Sequence, residues 1–461
     1  MVRRSERIRK KSKIDDDDIE EKYSETAASK FMSIVTDDLL LEILLRLYHL
    51  PTLIQCKTVC KRWFSLITTR FVCTFFHHKN KKLSDNHFGP VNSASSPVSL
   101  PYTILFRYYY NRNEPLYELF SKKSKALHGG HELPSSSSST TGNITYLNFL
   151  PWNGVTIQAS FEDLLLVSPA TAWKEYCICN PLTRQWIMLP RPPLIRLFAS
   201  SHGLVCEPNR GKLGCTDNNI APYTYKVVLM VKEQERFHAV VFCSKSGKWS
   251  TSTLFSNPSH LVGGSLHESF VSNRIIYWIL KRDLYEIRDI VTLDPFNSDI
   301  TDPKRSRVIH LPVGFVGGRQ SYRDRVSYGL VQGRLRLSQL IKVVGDNSFV
   351  LKVWELNCDK DGVFTSWLLM HNVSFKRPKT DKIAVIAFHP NDGDVVFMVR
   401  NHNIYKYEIE EDKYEKVGRF PDRFLGRKFS STRKQTFTDH LKVFTLVHPA
   451  LPILIPSVPT T

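Results

Sequence analysis

The sequence predicts a small all-α unit followed by an all-β domain, with a β-propeller as the favoured architecture of the second part. The first observation is a stretch near the N-terminus in which apolar residues recur at helical spacing. The second is a long series of short strand-like runs, separated by turn residues, in the rest of the chain. The third is a loose marker, in which an aromatic or aliphatic residue is followed by Leu-Pro or a turn. This marker returns every ~50–65 residues, which is near the length of one propeller blade.

The predicted first helix lies within a stretch that opens at Ile34. Its apolar residues follow the i, i+3, i+4, i+7 spacing that gathers side chains on one face, namely Leu40, Ile43, Leu44 and Leu47. Thr36 can accept the free amide hydrogens of the first turn. Asp37 and Asp38 place negative charge where the helix dipole is positive. The sequence therefore predicts a helix that begins just after Thr36.

A second helix is predicted after Pro51, because the missing N–H of a proline costs nothing in a first turn. One face of this helix carries four residues, namely Leu53, Cys56, Cys60 and Trp63. A third short segment, from Phe64 to Phe71, closes the unit. A unit of under ~50 residues buries little surface by itself, so we expect it to pack against a partner.

Two separated blocks of this unit, Asp37–Leu44 and Cys56–Trp63, resemble an F-box in the form that is common in plants. The resemblance implies docking on a Skp-type adaptor and, through it, on a cullin–RING ubiquitin ligase. The family usually opens with Leu-Pro, where this chain has Val35 and Thr36. Losing a proline that pre-sets the backbone costs ~0.4–1 kcal/mol, so we expect weaker docking rather than none.

The candidate adaptor-binding residues are the apolar residues of these blocks and their surroundings. One half of the docking face would consist of Leu40, Ile43, Leu44 and Leu47, and the other half of Leu53, Val59, Cys60 and Trp63. Some of these residues must instead pack the small core of the unit, and the sequence does not divide the two roles. Trp63 is the strongest single candidate, because buried tryptophans dominate interface energies. We expect Trp63→Ala to lose about thirty-fold or more in adaptor affinity.

Two other interpretations of this stretch remain open. It could be a helical hairpin buried within its own protein. It could also be a helix-turn-helix, as Lys61-Arg62-Trp63 and the basic chain suggest. A DNA-reading helix needs polar side chains that contact bases, whereas this one offers Leu, Cys, Val and Trp.

The chain is expected to have five parts. A charged N-terminal stretch, low in large apolar residues, predicts a disordered tail over 1–30. The F-box-like unit follows over 31–78, and a segment rich in Lys, Asn, Ser and Pro predicts a linker over 79–100. The β domain would cover 101–450, and a short tail 451–461.

The β domain is predicted from short runs of β-branched and aromatic residues. The first is Tyr102–Tyr110. Later examples are Leu164–Val167, Glu175–Cys179, Gly203–Cys206, Tyr225–Leu229, Ala239–Phe242, Arg274–Trp278, Leu351–Trp354 and Asp394–Phe397. No convincing long amphipathic helix follows residue 80, which favours an all-β domain, either a propeller or a large sandwich.

A second resemblance lies in this domain. Asn180–Pro190 is similar to an Asn-Pro-x-Thr-(Lys/Arg)-x-Trp-x-x-Leu-Pro block of plant F-box-associated and kelch-like domains. Later fragments, among them Cys243–Trp249 and His389-Pro390, follow in the family's order. In that family the block belongs to a β-propeller that recruits the substrate. The Gly-Gly and paired Trp-Tyr positions of a true kelch repeat are not evident here, so the associated-domain assignment is preferred.

Charge and cysteine content narrow the classes of function. The formal net charge of +19 is spread along the chain and indicates weak attraction to anions of any kind, so nucleic-acid binding is a secondary hypothesis. The nine cysteines show no zinc spacing and no even disulfide framework, which fits a reducing compartment.

The N-terminus lacks the apolar core of a signal peptide, and Arg3–Lys11 could act in nuclear import. Three prolines interrupt the apolar stretch Val443–Val458, which argues against a membrane helix. The nucleus, the cytoplasm or both are the expected locations.

No motif predicts a catalytic, cofactor or metal site. A phosphate-binding loop, a nucleophile elbow and a His-Glu-x-x-His helix are all missing from the sequence. The sequence therefore predicts a non-catalytic substrate-recognition subunit of a Skp–cullin–F-box ubiquitin ligase, with an unknown protein target. The alternatives are a basic nucleic-acid-binding protein, a propeller enzyme, and a free-standing propeller with a degenerate F-box.

Overall fold

The computed structural model of the chain has two compact units, Met1–Asn80 and Lys81–Thr461. It describes residues 35–45, 56, 59–67, 102–108, 117–120, 147–152, 154–169, 175–193, 199–208, 223–233, 236–253, 264–282, 287–299, 302, 305–315, 325–343, 348–358, 364–376, 383–401, 403–420, 441–448 and 455. The predicted N-terminal tail, linker and C-terminal tail lie outside these residues, with the exception of Ile455.

The first unit contains helix α1 (Asp37–Leu45) and helix α2 (Lys61–Leu66). Helix α1 begins where the sequence predicts. The backbone oxygen of Thr36 accepts a hydrogen bond from the Leu40 amide at 3.0 Å, and its hydroxyl accepts one from the Leu39 amide at 3.4 Å. Asp37 and Asp38 occupy the first turn, so the acidic residues lie at the positive end of the helix dipole.

The prediction of the second helix is wrong at the C-terminal end of that helix. Cys56 and Val59 are helical, but Cys60 is not, and α2 starts at Lys61. Trp63 therefore belongs to the separate helix that also contains Phe64. Apolar spacing alone does not reveal this break, because no glycine or proline marks it in the sequence.

The second unit is built from strands. Their bounds are β1 Tyr102–Tyr108, β2 Tyr117–Phe120, β3 Val155–Phe161, β4 Leu164–Pro169, β5 Cys177–Asn180, β6 Gln185–Met188, β7 Ala199–Pro208, β8 Tyr223–Glu233, β9 Arg236–Cys243, β10 Lys248–Thr253, β11 Ser265–Ser272, β12 Ile275–Lys281, β13 Ile287–Leu293, β14 Ser306–His310, β15 Arg325–Val331, β16 Arg334–Lys342, β17 Ser348–Cys358, β18 Phe364–Lys376, β19 Ile383–Phe388, β20 Val395–Arg400, β21 Asn403–Glu408, β22 Lys413–Arg419 and β23 Leu441–Val447. Every run that the sequence analysis named as a strand coincides largely with one of these strands.

Within the described residues, the strands form five four-stranded antiparallel sheets and one three-stranded sheet. Each four-stranded sheet uses four consecutive strands, starting with β3–β6 and ending with β19–β22. The sixth sheet has the order β2-β1-β23, so the last strand of the chain pairs with the first strand of the domain. This pairing closes the ring, and the predicted fold class, a small α-helical unit followed by a β-propeller, is confirmed.

The core lies between neighbouring sheets, and strand β12 shows how it forms. Trp278 and Leu280 pack into a cluster with the second sheet, whereas Tyr277 and Ile279 pack into a cluster with the fourth sheet. Successive side chains of a strand point to opposite faces, so a middle strand is apolar at every position. Gly203 of β7 makes room here, since a Cβ at this position would lie 2.9 Å from Cδ1 of Ile276 and 3.2 Å from the Trp278 ring.

The spaced tryptophan and Leu-Pro markers connect successive sheets. The indole of Trp249 in β10 donates a hydrogen bond at 2.8 Å to the backbone oxygen of Pro190, which follows the outer strand of the preceding sheet. The indole of Trp367 in β18 donates in the same way, also at 2.8 Å, to the backbone oxygen of His310 at the end of β14. The loose repeat in the sequence therefore reflects a recurring contact between neighbouring blades.

The block that carries the second resemblance is the turn between β5 and β6. Oδ1 of Asn180 accepts hydrogen bonds from the amides of Leu182 at 2.9 Å and Thr183 at 3.3 Å. Its side-chain amide donates to Oδ2 of Asp163 at 2.7 Å, which holds the turn against the first hairpin of the same sheet. An asparagine can satisfy both requirements because its side chain both accepts and donates.

Candidate functional site: the N-terminal helices

The apolar residues of helix α1 divide between an interior and a surface. Leu40 and Leu44 are buried, with 2% and 0% of their surface exposed. Leu39 and Ile43 are 59% and 48% exposed, and they lie four residues apart, on one face of the helix. The predicted face is thus split, because Leu40 and Leu44 serve the interior while Ile43 stays available to a partner.

The residues in and around α2 divide in the same way. Leu66 and Ile67 are buried, whereas Val59 is 60% exposed. Trp63 is half-buried, and its indole nitrogen is buried without a hydrogen-bond partner among the described residues. Cys60 is exposed. The predicted candidates Leu47 and Leu53 lie outside the described residues.

Arg62 ties the two helices together. Its Nε donates to Oδ1 of Asp37 at 2.7 Å, and its Nη2 donates to the backbone oxygen of Val35. One guanidinium therefore contacts the residue before the N-cap of α1 and the first residue of the helix. This contact gives a structural role to the basic residue that suggested a helix-turn-helix.

Burial raises the pKa of the Cys56 thiol, which disfavours the reactive thiolate. Among the residues that the structure describes, no group of His, Cys, Asp or Glu could hold a metal ion. In the same part of the chain, no helix is long and apolar enough to cross a membrane.

Leu39 was not among the predicted docking residues, although its side chain is more exposed than that of Ile43 in the same helix. It lies in the run Leu39-Leu40-Leu41, in which apolar character alone does not identify the outward face. Together with Ile43 and Val59 it forms the set that we call the exposed apolar set. Large exposed apolar side chains of this kind are typical of a surface that another protein covers.

Comparisons with known proteins identify the family of the chain. Residues 127–435, more than half of the chain, match the family model described as F-box protein At3g26010-like, beta-propeller. The chain is 21% identical over 389 residues to F-box protein At5g49610 of Arabidopsis thaliana, and the alignment covers 82% of this chain and 89% of that protein.

Solved structures show only a distant likeness. YjhT is 11% identical, with a TM-score of 0.31 over 59% of this chain and 86% of that chain. A post-proline cleaving enzyme from Rickettsia typhi is 9% identical, with a TM-score of 0.29 over 57% of this chain and 36% of that chain. Scores this low support no argument about function.

Proposed function

Because this chain belongs to the F-box protein At3g26010-like β-propeller family, we propose that it is the substrate-recognition subunit of a Skp–cullin–F-box ubiquitin ligase. This family assignment and the Arabidopsis relative confirm the predicted resemblance to plant F-box proteins. The prediction was based on the two N-terminal blocks and on the block Asn180–Pro190. In the proposed role the N-terminal helices dock on a Skp-type adaptor, and the propeller recruits a protein target.

The observation that carries the proposal is the exposed apolar set, Leu39, Ile43 and Val59. The neighbouring Leu40 and Leu44 are buried, so the unit does not need these three side chains for its own interior. A helix that has a filled buried face and also exposes leucine and isoleucine is suited to a second contact, here with the adaptor. Fully burying an exposed side chain of this size contributes ~1.5–3 kcal/mol, and about half of that remains to be gained by side chains that are already half-buried.

The departure from the family's opening Leu-Pro is compatible with docking. Thr36 caps α1, and an N-cap threonine contributes ~0.5–2 kcal/mol relative to alanine. The hydrogen bond is long, at 3.4 Å, so the contribution should lie near the lower end of this range, where it offsets part of the ~0.4–1 kcal/mol that a pre-set proline gives. Val35 is in turn contacted by Arg62 through its backbone oxygen, a contact that depends on the backbone and not on the side chain.

The propeller's contribution would be effective concentration. A receptor that binds the adaptor at one end and a target at the other holds the target near the transfer machinery without any catalytic group of its own. This role is consistent with a family of F-box proteins, and it requires only a folded scaffold with a binding surface. We propose the nucleus or the cytoplasm as the location of the complex.

A titration of the full-length chain against a purified Skp-type adaptor tests the proposal. We expect a Kd in the micromolar range or tighter. Ile43→Asp should weaken binding by about thirty-fold or more, since loss of an interface residue that contributes ~2 kcal/mol has this effect. Far-UV circular dichroism would show that the variant keeps its secondary structure.

The matched control is Leu369→Asp, which places the same charge on a leucine that is 51% exposed in β18 of the propeller. It should bind the adaptor as the wild type does. If the folded full-length chain does not bind the adaptor, the proposal is wrong and the chain is a free-standing binding module. If both variants weaken binding equally, the helices are not the docking surface.

A further inference from the structure

The propeller has two ends, and the order of the strands decides which parts of the sequence each end receives. The five four-stranded sheets are numbered in chain order, from β3–β6 to β19–β22. Consecutive strands are antiparallel, so the two hairpins that join the first strand to the second and the third to the fourth lie at one end, the hairpin end. The connection from the second strand to the third and the connection to the next sheet lie at the other end, the connection end.

Neighbouring sheets touch through the turns of the hairpin end. The Ser272 hydroxyl, at the first hairpin of the third sheet, donates to the backbone oxygen of Gly333 in the first hairpin of the fourth sheet. The amide of Gln332 in that same hairpin donates at 2.7 Å to the backbone oxygen of Pro390, between the first two strands of the fifth sheet. The corresponding turns of these three sheets therefore lie side by side.

The first two sheets and the closing strand follow the same pattern. Nη1 of Arg274, in the first hairpin of the third sheet, donates at 2.8 Å to Oε1 of Glu207 near the end of β7. Burial and the nearby Glu162 carboxylate raise the pKa of the Cys206 thiol, which places the first hairpin of the first sheet beside β7 as well. The amide of Val447, the last residue of β23, donates to the backbone oxygen of Glu162 at 2.9 Å. All sheets are thus oriented alike around the ring.

The charge of each end can then be counted from the sequence, from the last residue of one strand to the first residue of the next. The segments of the connection end are residues 169–177, 188–199, 233–236, 253–265, 281–287, 310–325, 342–348, 376–383, 400–403 and 419–441. The segments of the hairpin end are residues 161–164, 180–185, 208–223, 243–248, 272–275, 293–306, 331–334, 358–364, 388–395 and 408–413.

The two ends differ strongly in net charge. The segments of the connection end hold 21 Lys and Arg against 10 Asp and Glu, a net formal charge of +11. Those of the hairpin end hold 11 Lys and Arg against 14 Asp and Glu, a net of −3. Ion pairs within an end do not change these values, because every Asp and Glu of the same segments is already subtracted. Basic residues that are spread along the sequence therefore belong mainly to one end of the ring.

The fourth and fifth sheets carry part of this charge on their strands. Lys342 and Arg400 are the last residues of the second strands, β16 and β20, and both are half-buried. Lys376 and Arg419 are the last residues of the outer strands, β18 and β22, and both are exposed. Asn403 lies opposite both Arg400 and Arg419, so the two arginines stand in one row, two strand spacings of about 4.8 Å apart. We call Lys342, Lys376, Arg400 and Arg419 the basic rim.

The aromatic side chains indicate what kind of anion suits this end. Nζ of Lys342 lies 5.7 Å from the centre of the Phe349 ring, but only 5% of Phe349 is exposed. In the part of the chain that the structure describes, the aromatic residue with a largely exposed side chain is Trp186, near the start of β6 and thus at the hairpin end. Single-stranded nucleic acids need exposed aromatic rings on which bases stack. The basic rim offers charge without such a surface, which favours carboxylate side chains over bases.

We propose that the connection end of the propeller, at the basic rim, docks an acidic segment of the protein target. The inference rests on the proposed function, since a receptor that recruits proteins for ubiquitination needs a surface that selects them. Complementary charge accelerates the encounter with an acidic segment and disfavours basic competitors. Guanidinium and ammonium groups donate charge-assisted hydrogen bonds to carboxylates.

Titration of the full-length chain, followed by fluorescence anisotropy, tests the proposal. The probe is a short labelled peptide of alternating Glu and Ser, and the reference is the same peptide with Gln in place of Glu. The glutamate peptide should bind at least about ten-fold more tightly at low salt. Its affinity should fall as the ionic strength rises, because salt screens exposed charges. A labelled single-stranded DNA is compared in the same buffer.

Paired variants test the location. Lys376→Gln combined with Arg419→Gln removes two exposed cations from the basic rim and should weaken binding of the glutamate peptide about five-fold or more. Lys376→Arg combined with Arg419→Lys keeps both charges and should bind as the wild type does. The matched control, Lys245→Gln combined with Lys413→Gln, removes two exposed cations from the hairpin end and should also bind as the wild type does. Thermal unfolding shows that each variant is folded.

The proposal is overturned if the glutamate peptide binds no more tightly than the glutamine peptide. It is also overturned if the folded variant of the basic rim binds like the hairpin-end control, or if DNA binds more tightly than the glutamate peptide. Adaptor binding should be unchanged in all of these variants. Absent peptide binding with intact adaptor binding would contradict this inference alone, whereas absent adaptor binding with intact peptide binding would contradict the ligase role alone.

Discussion

The two units of the chain bury their apolar residues in different ways. In the propeller a middle strand such as β12 is covered on both faces, because its side chains enter the clusters on either side. In the N-terminal unit one helix, α1, buries Leu40 and Leu44 but leaves Leu39 and Ile43 half exposed. The middle strands of the propeller are thus covered on both faces, whereas α1 is covered on one face only; on the outer strand β18, Leu368, Leu369 and Met370 are also exposed.

Buried charge shows the same contrast. Within the propeller, Glu355 is 5% exposed and receives hydrogen bonds from Arg334 and Arg336 at 2.8 Å each. In the helical unit the corresponding contact, Arg62 with Asp37, leaves both side chains more than a third exposed. Partly exposed pairs contribute ~0–1 kcal/mol, so this contact orients the helices more than it stabilises them. The following changes test the contrast.

The largest effect is expected from Trp278→Ala in the propeller. Trp278 is fully buried between two sheets, and removing such a side chain costs ~3–5 kcal/mol through lost burial and a cavity. Denaturant unfolding would measure the loss. Trp186→Ala is the control, because Trp186 is 40% exposed and should lose much less. Equal losses at both positions would contradict the assignment of the inter-sheet core.

The next largest effects are expected at two neighbouring residues of α1, one buried and one exposed. Leu44→Ala should destabilise the helical unit by ~2–5 kcal/mol, because Leu44 is fully buried. Ile43→Ala should change stability far less and should reduce adaptor affinity instead. Circular dichroism and adaptor titration on both variants measure the two effects. A folded Ile43→Ala variant with unchanged affinity would remove this residue from the docking surface.

A smaller loss of stability is expected when the pH is lowered. Burial lowers the pKa of His448 to about 4, and its Nε2 lies 3.0 Å from Oγ1 of Thr103 where the ring closes. Between pH 6.5 and about 4 the unfolded chain binds the proton and the folded chain does not, so stability falls as pH falls. The slope from one such histidine is at most about 1.4 kcal/mol per pH unit.

Unfolding experiments at pH 7 and pH 5 on the wild type and on His448→Gln measure this slope. The variant should lose less stability than the wild type between the two pH values, because it has one fewer group that titrates only when unfolded. His202, His267 and His389, whose pKa values are also lowered by burial, should maintain the remaining pH dependence. An identical slope in both proteins would show that folding does not lower the pKa of His448.

The smallest effect is expected at the N-cap of α1. Thr36→Ala removes a hydroxyl that accepts from the Leu39 amide at 3.4 Å, a long hydrogen bond. The cost should lie near the lower end of the ~0.5–2 kcal/mol range for N-caps. Thermal unfolding of the helical signal measures it, and Thr36→Ser should retain the wild-type value. A loss above this range would mean that Thr36 has a further partner.

Much of the architecture was predictable from local patterns. The β-branched runs located strands such as β4, β8 and β12, since a strand that is buried on both faces is apolar at nearly every position. The outer strands were harder to predict. β6 and β18 each contain a short apolar run, yet Trp186 of β6 and Leu369 of β18 are exposed, so apolar character alone does not tell an outer strand from a buried one. The propeller was predicted, but the irregular spacing of the sequence markers did not give the number of its sheets.

The amino-acid sequence by itself determined the fold class, the start of α1 at its Thr-Asp-Asp cap, the family blocks and most strands. These features depend on interactions between residues that are close in the chain. Such interactions can be predicted from apolar spacing and from capping residues. Tertiary structure alone decided that Ile43 faces outward while Leu44 faces inward, that the helix breaks at Cys60, and that Arg107 lies opposite Lys442. The ring closes through groups as far apart in the chain as Thr103 and His448, 345 positions, and no local pattern encodes such a pairing.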